Sequence, residues 1–250
     1  MTDLPTSTEP GVEFALGAWR EVAPGVHVAI AEPETVNLGL IVGSERVLLV
    51  DTGSSPTQGA AVRSSITAVT DLPLAAVVVT HWHFDHAYGL AAFADVLTIG
   101  HESVRPRLTS PEAAAEAVRL GFDAAELVPP SREIVVATSL DLGGRRVEIA
   151  HLGEGHTEGD LIVVVPDADL LFAGDLIESA GPPSFGSDSV PGAWAGTLDG
   201  LIGLMTGGST LVPGHGEPVD REFVFEQRGR IAAGAQPIPT AGERPNLPMA

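Results

Sequence analysis

The run His81-x-His83-x-Asp85-His86 packs four metal-capable side chains into six residues. In an extended segment, side chains two apart project to the same side, so His81 and His83 can grip one cation together. Asp85 and His86 follow where the chain turns away from a strand, and can face a neighbouring cation. Neutral imidazole nitrogen and carboxylate oxygen are the borderline ligands that zinc and similar divalent metals prefer. Three further segments carry the same residue types: His156 in the glycine-rich turn 153–160, Asp175 after Gly174, and His215 between Gly214 and Gly216. Each stands at an expected strand-to-loop junction, the usual place for site residues on an α/β scaffold. Singly each reads equally well as a solvated loop residue; their order and flanking glycines make the set specific.

The elements that must position these residues are legible as short apolar runs. Residues 38–42 and 47–50, separated by Gly43-Ser44-Glu45, predict a β-hairpin that ends in Asp51-Thr52-Gly53. Residues 56–69 fit a helix with Pro56 in its first turn and Val62, Ile66 and Val69 at helical spacing. Residues 75–80 are continuously apolar, the pattern of a strand buried on both faces, and lead straight into His81. A short helix at 88–94, a strand at 96–100 and a helix near Glu102 follow. Ser110 and Pro111 mark the start of a helix over 111–120, and 109–131 reads as an insertion outside the core. The second half predicts strands at 134–140, 147–151, 161–165, 170–173 and 211–212, with helices at 193–205 and 219–232. Such alternation, with hairpins in both halves, implies two packed sheets with helices outside. Residues 1–12 read as a flexible N-terminal arm and 233–250 as an extended tail, leaving 13–232 as one domain.

Composition narrows the partners. The formal net charge is −20, and every one of the 13 basic residues is Arg. Without Lys there is no Schiff-base or P-loop lysine. The acidic balance argues against nucleic acid and against an anionic membrane surface, and so for a small-molecule substrate. Oligomeric state is not readable. Cys is absent, which excludes disulfides and thiolate nucleophiles. The N-terminal residues show no signal-peptide pattern, and no apolar run is long enough to span a bilayer, so the expected location is cytoplasmic.

The segments HWHFDH, GHTEGD, AGD and PGHG, in this order, resemble the motifs of the metallo-β-lactamase fold superfamily of metallohydrolases. Val50-Asp51-Thr52-Gly53 resembles another, and the resemblance spans about residues 25–220. It implies an α/β fold: an αββα four-layer sandwich of two mixed β-sheets with outer helices and a dinuclear site at one edge. By resemblance His81, His83 and His156 bind a first metal, Asp85, His86 and His215 a second, and Asp175 bridges them. The expected cofactors are two divalent ions, zinc first, with iron or manganese as alternatives. The β-lactamases of this fold typically carry Cys or Ser where Asp175 stands, and the commonest lack a match to His86. Asp is usual there in hydrolases of lactones, thioesters, phosphoesters and sulfate esters. Flavodiiron oxygen reductases have Glu at the position of His83. Hydroxyacylglutathione hydrolases and persulfide dioxygenases usually carry Cys-Gly-Arg after the bridging Asp, where this chain reads Leu176-Ile177-Glu178-Ser179-Ala180-Gly181.

The implied activity is a dinuclear metal-dependent hydrolase. Two cations lower the pKa of a shared water from about 16 toward about 7, and the bridging hydroxide attacks a small ester-like substrate such as a lactone or thioester. By the same resemblance Asp85 is the expected catalytic residue, which besides binding metal orients the hydroxide and accepts its proton. Asp51 is read either as the group that fixes an imidazole tautomer or as a strand-end turn carboxylate. A mononuclear iron oxidoreductase of persulfide-dioxygenase type and a β-lactamase-like amide hydrolase stand as alternatives, with a nuclease or a non-catalytic metal-binding protein behind them. His27, His101 and His151 lack ligand spacing and read as structural or surface residues. Trp82 should point away from the metal into packing. Trp194 reads as core, and Phe185 as a candidate pocket wall. Substrate choice is expected to lie in loops 28–37, 109–131 and 181–192.

Overall fold

The computed structural model describes residues 13–234. The arm expected over 1–12, and the tail expected over 233–250 from residue 235 onward, lie outside the described residues.

The first sheet contains β1 (Ala15–Leu16), β2 (Arg20–Ala23), β3 (Val26–Glu32), β4 (Val36–Val42), β5 (Val47–Val50), β6 (Leu74–Val78), β7 (Leu97–His101) and β8 (Arg132–Ile134). Their order is β1-β3-β4-β5-β6-β7-β8, with β2 also on β3. The hairpin β4–β5 is antiparallel, as expected, whereas β5 to β8 run parallel. The second sheet contains β9 (Ala137–Asp141), β10 (Arg146–His151), β11 (Leu161–Val165), β12 (Leu170–Phe172) and β13 (Thr210–Val212), adjacent in chain order. Only the β12–β13 pair is parallel. Both sheets are mixed.

Side-chain alternation explains the layering. Ala76 and Val78 on β6 join Val28, Ile41 and Leu48 in a core closed from the other sheet by Ile149, Val163 and Phe172. Val77 and Val79 point the opposite way, into a second core with Val62 and Phe93. A strand with a core on each face has no polar side to show, hence the continuous apolar run. The helices α1 (Pro56–Ser65), α2 (Phe84–Ala87), α3 (Val104–Leu108) and α4 (Pro111–Arg119) cover this outer face. Ser55 Oγ caps α1 by accepting from the Gln58 amide at 3.1 Å, and Ser110 caps α4 in the same way. The outer face of the second sheet packs Leu171 and Leu211 against Trp194, Leu198 and Leu201 of α5 (Pro191–Leu204) and Val224 of α6 (Arg221–Ala232). The result is the expected αββα sandwich.

Three expectations need correction. The run 134–140 is not one strand: it is split between β8 and β9, and the chain changes sheets at Val135 and Val136, which are 53% and 68% exposed. β-propensity is uninterrupted there, so only packing sets the crossing. The segment 109–131 is not outside the core, because Ala113, Ala117 and Leu120 are buried in the helix layer. Finally, the helix expected from Tyr88 begins at Phe84, with a 3₁₀ continuation over Tyr88–Phe93, so Asp85 and His86 lie on a helical turn. No helix among the described residues is long and apolar enough to cross a membrane.

Candidate metal centre

One edge of the sandwich collects the chemistry. β5 ends at Asp51, β6 runs into Thr80 and His81, β12 into Asp175, and β13 into His215, while His156 lies in the turn before β11. The Leu161 amide donates to the Thr80 carbonyl at 2.7 Å and ties the two sheets together at this edge. The flanking glycines have a steric reason. A Cβ on Gly214 would stand 1.8 Å from Asp175 Oδ1, and Gly174 needs φ +50° to turn the chain so that Asp175 points inward.

All seven expected residues are brought together, in two groups. His81, His83, His156 and Asp175 form one, and Asp85, His86 and His215 the other. In the first, His83 Nδ1 lies 3.0 Å from His81 Nε2 and 2.9 Å from His156 Nε2. Asp175 Oδ2 lies 3.8 and 3.4 Å from the same two ring nitrogens. In the second, Asp85 Oδ2 lies 3.6 Å from His86 Nε2 and 3.3 Å from His215 Nε2. Asp175 Oδ1 reaches these nitrogens at 3.2 and 3.6 Å. One carboxylate thus presents a different oxygen to each group.

The outer nitrogens of all five rings are occupied. His86 Nδ1 donates to Asp51 Oδ2 at 2.8 Å, and Asp51 also accepts from the Thr80 amide and hydroxyl. The Thr80 hydroxyl oxygen in turn accepts from His81 Nδ1 at 3.1 Å. His83 Nε2 donates to Asp188 Oδ2 at 3.1 Å, His156 Nδ1 to the Ser184 carbonyl at 3.2 Å, and His215 Nδ1 to the Glu34 carbonyl at 2.9 Å. With the protons outside and the rings neutral, as a bound cation requires, the inner nitrogen lone pairs all converge.

That arrangement tests whether cations fit. Lone pairs 2.9–3.0 Å apart with no proton between them repel, unless a cation lies among them. A tetrahedral centre with bonds of about 2.1 Å has edges of about 3.4 Å, and the donor–donor distances of 2.9–3.8 Å bracket it. His86 Nε2 and Asp175 Oδ1 are buried without any hydrogen-bond partner, and face each other. Buried polar atoms are rarely left so. The residues present fit a pair of divalent ions.

The two groups differ in charge. Burial pushes His156 down to about 4 and, with the neighbouring His86, holds His81 well below the usual imidazole range. Burial also opposes protonation of His86, but Asp175, Asp85 and Asp51 outweigh it and lift its pKa well above the ordinary value. His215 rises to about 10 against the effect of burial, because the Asp175 and Asp85 carboxylates stand beside its Nε2. Asp175 is held well below the carboxylate range: burial is overcome by His86 and His156.

The site opens into a cleft of about 540 Å³ whose walls include Glu34, Thr35, Phe84, Glu178, Ala180, Ser184 and Gly186. Glu178, Glu34 and Asp188 were not singled out in the sequence. Glu178 groups with Asp175 and His215, and burial pushes its carboxyl up to about 7. Its position three residues after Asp175 was the available signal. Asp188 had none: its contacts with Trp82 and His83 span 106 and 105 residues of chain. Burial opposes its ionisation, yet the His83 and Trp82 N–H groups hold its carboxyl well below the usual range. Trp82 points away from the centre into the helix-layer core, and Trp194 is fully buried with Phe185 against it. His101 and His151 stack on each other at 4.4 Å, apart from the two groups.

Comparison with known proteins agrees with this edge. A metallo-beta-lactamase type 2 of Bacillus cereus is 27% identical over 151 residues, covering 60% of this chain and 54% of that enzyme, so the chain spans about half the length of that relative. The acyl-coenzyme A thioesterase MBLAC2 of Bos taurus is 26% identical over 216 residues, 76% of each chain. Among solved structures, a metallo-beta-lactamase from Pontibacter korlensis has the same fold, with TM-score 0.69 and 19% identity over 88% of this chain and 99% of that one. Residues 31–215, from β3 through the last histidine of the cluster, match the metallo-beta-lactamase superfamily as a whole, and the chain belongs to that superfamily.

Proposed function

We propose that this protein is a dinuclear metal-dependent hydrolase of a small ester-like substrate, a lactone, thioester or related compound. The observation that carries the reading is the division of five inward-facing imidazole lone pairs into two groups that share one carboxylate. His81, His83, His156 and Asp175 would hold one divalent ion, and Asp85, His86 and His215, with the same Asp175, the other; zinc would suit the nitrogen-rich set, with iron or manganese as alternatives. When bound, such a pair supplies Lewis acidity that brings the pKa of water toward about 7.

The chain's own residues do the rest. Asp85 turns Oδ2 toward the His86 and His215 nitrogens, where it would join them on the second ion, which leaves Oδ1 to orient the attacking water and take its proton. The cleft walls carry Glu34 and Glu178 but no Arg, and the chain has no Lys. A polyanionic substrate, such as a coenzyme A ester or nucleic acid, finds no cationic side chain among these walls, and a lactam carboxylate finds no lysine. This supports a small neutral ester over the substrates in the names of the relatives.

The test joins elemental analysis of reconstituted protein to a hydrolysis screen over lactones, simple thioesters, acyl-coenzyme A, phosphodiesters and β-lactams. Two metal ions per chain with turnover of a neutral ester or lactone is expected. Well under one ion per chain, or turnover confined to β-lactams or phosphodiesters, refutes the reading.

A further inference from the structure

The outer nitrogens of the two histidine groups are held by different parts of the chain. In the group of Asp85, His86 and His215, the acceptors are Asp51, at the end of β5, and the Glu34 carbonyl between β3 and β4. In the other group, two of three rings are held by one segment, 184–190. His156 Nδ1 donates to the Ser184 carbonyl, and His83 Nε2 to Asp188 Oδ2. The same segment forms a wall of the cleft through Ser184 and Gly186.

The segment is anchored independently of the rings. Trp82 Nε1 donates to the same Asp188 oxygen at 2.7 Å. Ser189 Oγ accepts from the Gly186 amide at 2.9 Å and donates to the His156 carbonyl at 2.7 Å. The Val190 amide donates to the Gly155 carbonyl at 2.9 Å. Asp188 is therefore placed before any metal arrives. It keeps the His83 proton on Nε2, so the Nδ1 lone pair points to His81 and His156.

We propose that Asp188 is a positioning residue for one metal only, the ion held by His81, His83 and His156, and that the cleft-wall segment 184–190 thereby sets the occupancy of that position independently of the other. The inference rests on the dinuclear reading above. Removing the acceptor on the outer nitrogen of a ligating histidine typically costs about 10–100-fold in metal affinity. Asp188 touches no ring of the second group, so the loss falls on one ion.

The experiment titrates metal-free protein with Co²⁺ and reads both dissociation constants from the absorption of bound cobalt. Wild type, Asp188→Ala, Asp188→Asn and Trp82→Phe are compared. Asp188→Ala should weaken one of the two constants by about 10–100-fold and leave the other within about 3-fold. Asp188→Asn, which keeps a carbonyl oxygen, should fall between. Trp82→Phe, which removes the indole N–H and shrinks a core side chain but leaves the Asp188–His83 contact, should leave both constants within about 3-fold, so it separates loop anchoring from the effect on His83. The spectrum of half-loaded Asp188→Ala should match that of the ion retained in His156→Ala and differ from that retained in His215→Ala. Equal weakening of both positions, no weakening, or an equal effect from Trp82→Phe overturns the inference while the dinuclear reading stands. A wild-type protein that takes up a single cobalt ion overturns both.

Discussion

Asp51 offers the sharpest test of how the edge is built. Its two oxygens accept from three buried donors: the Thr80 amide at 2.7 Å, the Thr80 hydroxyl at 2.9 Å and His86 Nδ1 at 2.8 Å. It also holds a left-handed backbone, φ +62°, which Asp and Asn tolerate better than Ala. In Asp51→Ala the hydroxyl can rotate, but the Thr80 amide and the His86 ring N–H are orphaned, at about 1–3 kcal/mol each, and the backbone adds about 1–2 kcal/mol. The sum is on the order of 3–8 kcal/mol, a shift of about 6–30 °C in the midpoint of a chain this size. Asp51→Asn keeps the backbone preference and one acceptor, and should cost roughly a third of that. Because the Thr80 hydroxyl relays Asp51 to His81, both metal positions should weaken by about 10-fold or more, unlike the one-sided effect of Asp188. Thermal unfolding in excess chelator measures the first quantity, and zinc titration against a chromophoric competitor the second. An Asp51→Ala protein with wild-type melting and wild-type zinc affinity at both positions would refute the reasoning.

His83→Ala should abolish turnover while circular dichroism stays native, since the ring contacts the centre and Asp188 rather than either sheet core; near wild-type hydrolysis defeats the ligand assignment. Asp175→Ala removes the carboxylate shared by both groups, so stoichiometry should drop below two with a collapse in rate, whereas Asp175→Ser should retain more metal; unchanged stoichiometry with unchanged rate rules out a bridging role. Asp160, buried behind the Thr157 turn, is raised by burial to about 7 although Thr157 donates to it. A carboxyl raised in the folded state binds more protons than in the unfolded one, so it erodes stability as pH climbs from about 4 to about 7 and no further. Asp160→Asn should therefore gain on wild type across that window in chelator-treated samples; a difference in melting temperature that is flat with pH counts against the raised carboxyl.

The parts of the fold legible in the sequence were those where one residue run has one environment. The β4–β5 hairpin and the continuous apolar run of β6 read correctly because each keeps a fixed relation to its cores over its whole length. The run across 134–140 did not, since its β-branched residues serve two sheets in turn and nothing local marks the change. The segment 109–131 reads in sequence as an insertion because small residues, Ala113 and Ala117, make the core contact of its helix, and Ala carries little hydrophobic signal.

The site divides in the same way. The donor atoms were legible because metal chemistry restricts them to few residue types and the strand-end junctions restrict their places. The acceptors behind them were not, Asp51 excepted, because any carboxylate or carbonyl oxygen can receive an imidazole N–H. Two of the five are backbone carbonyls, of Ser184 and Glu34, which no side-chain pattern can announce. Yet these acceptors decide which nitrogen of each ring keeps its proton, and so whether the lone pairs converge. The same seven donors with one outer nitrogen left unheld would be a ring free to turn away. On this edge the chemistry is written in the motifs and its direction in the contacts behind them, and the segment 184–190, marked in the sequence only as part of a substrate loop, governs two of the five rings.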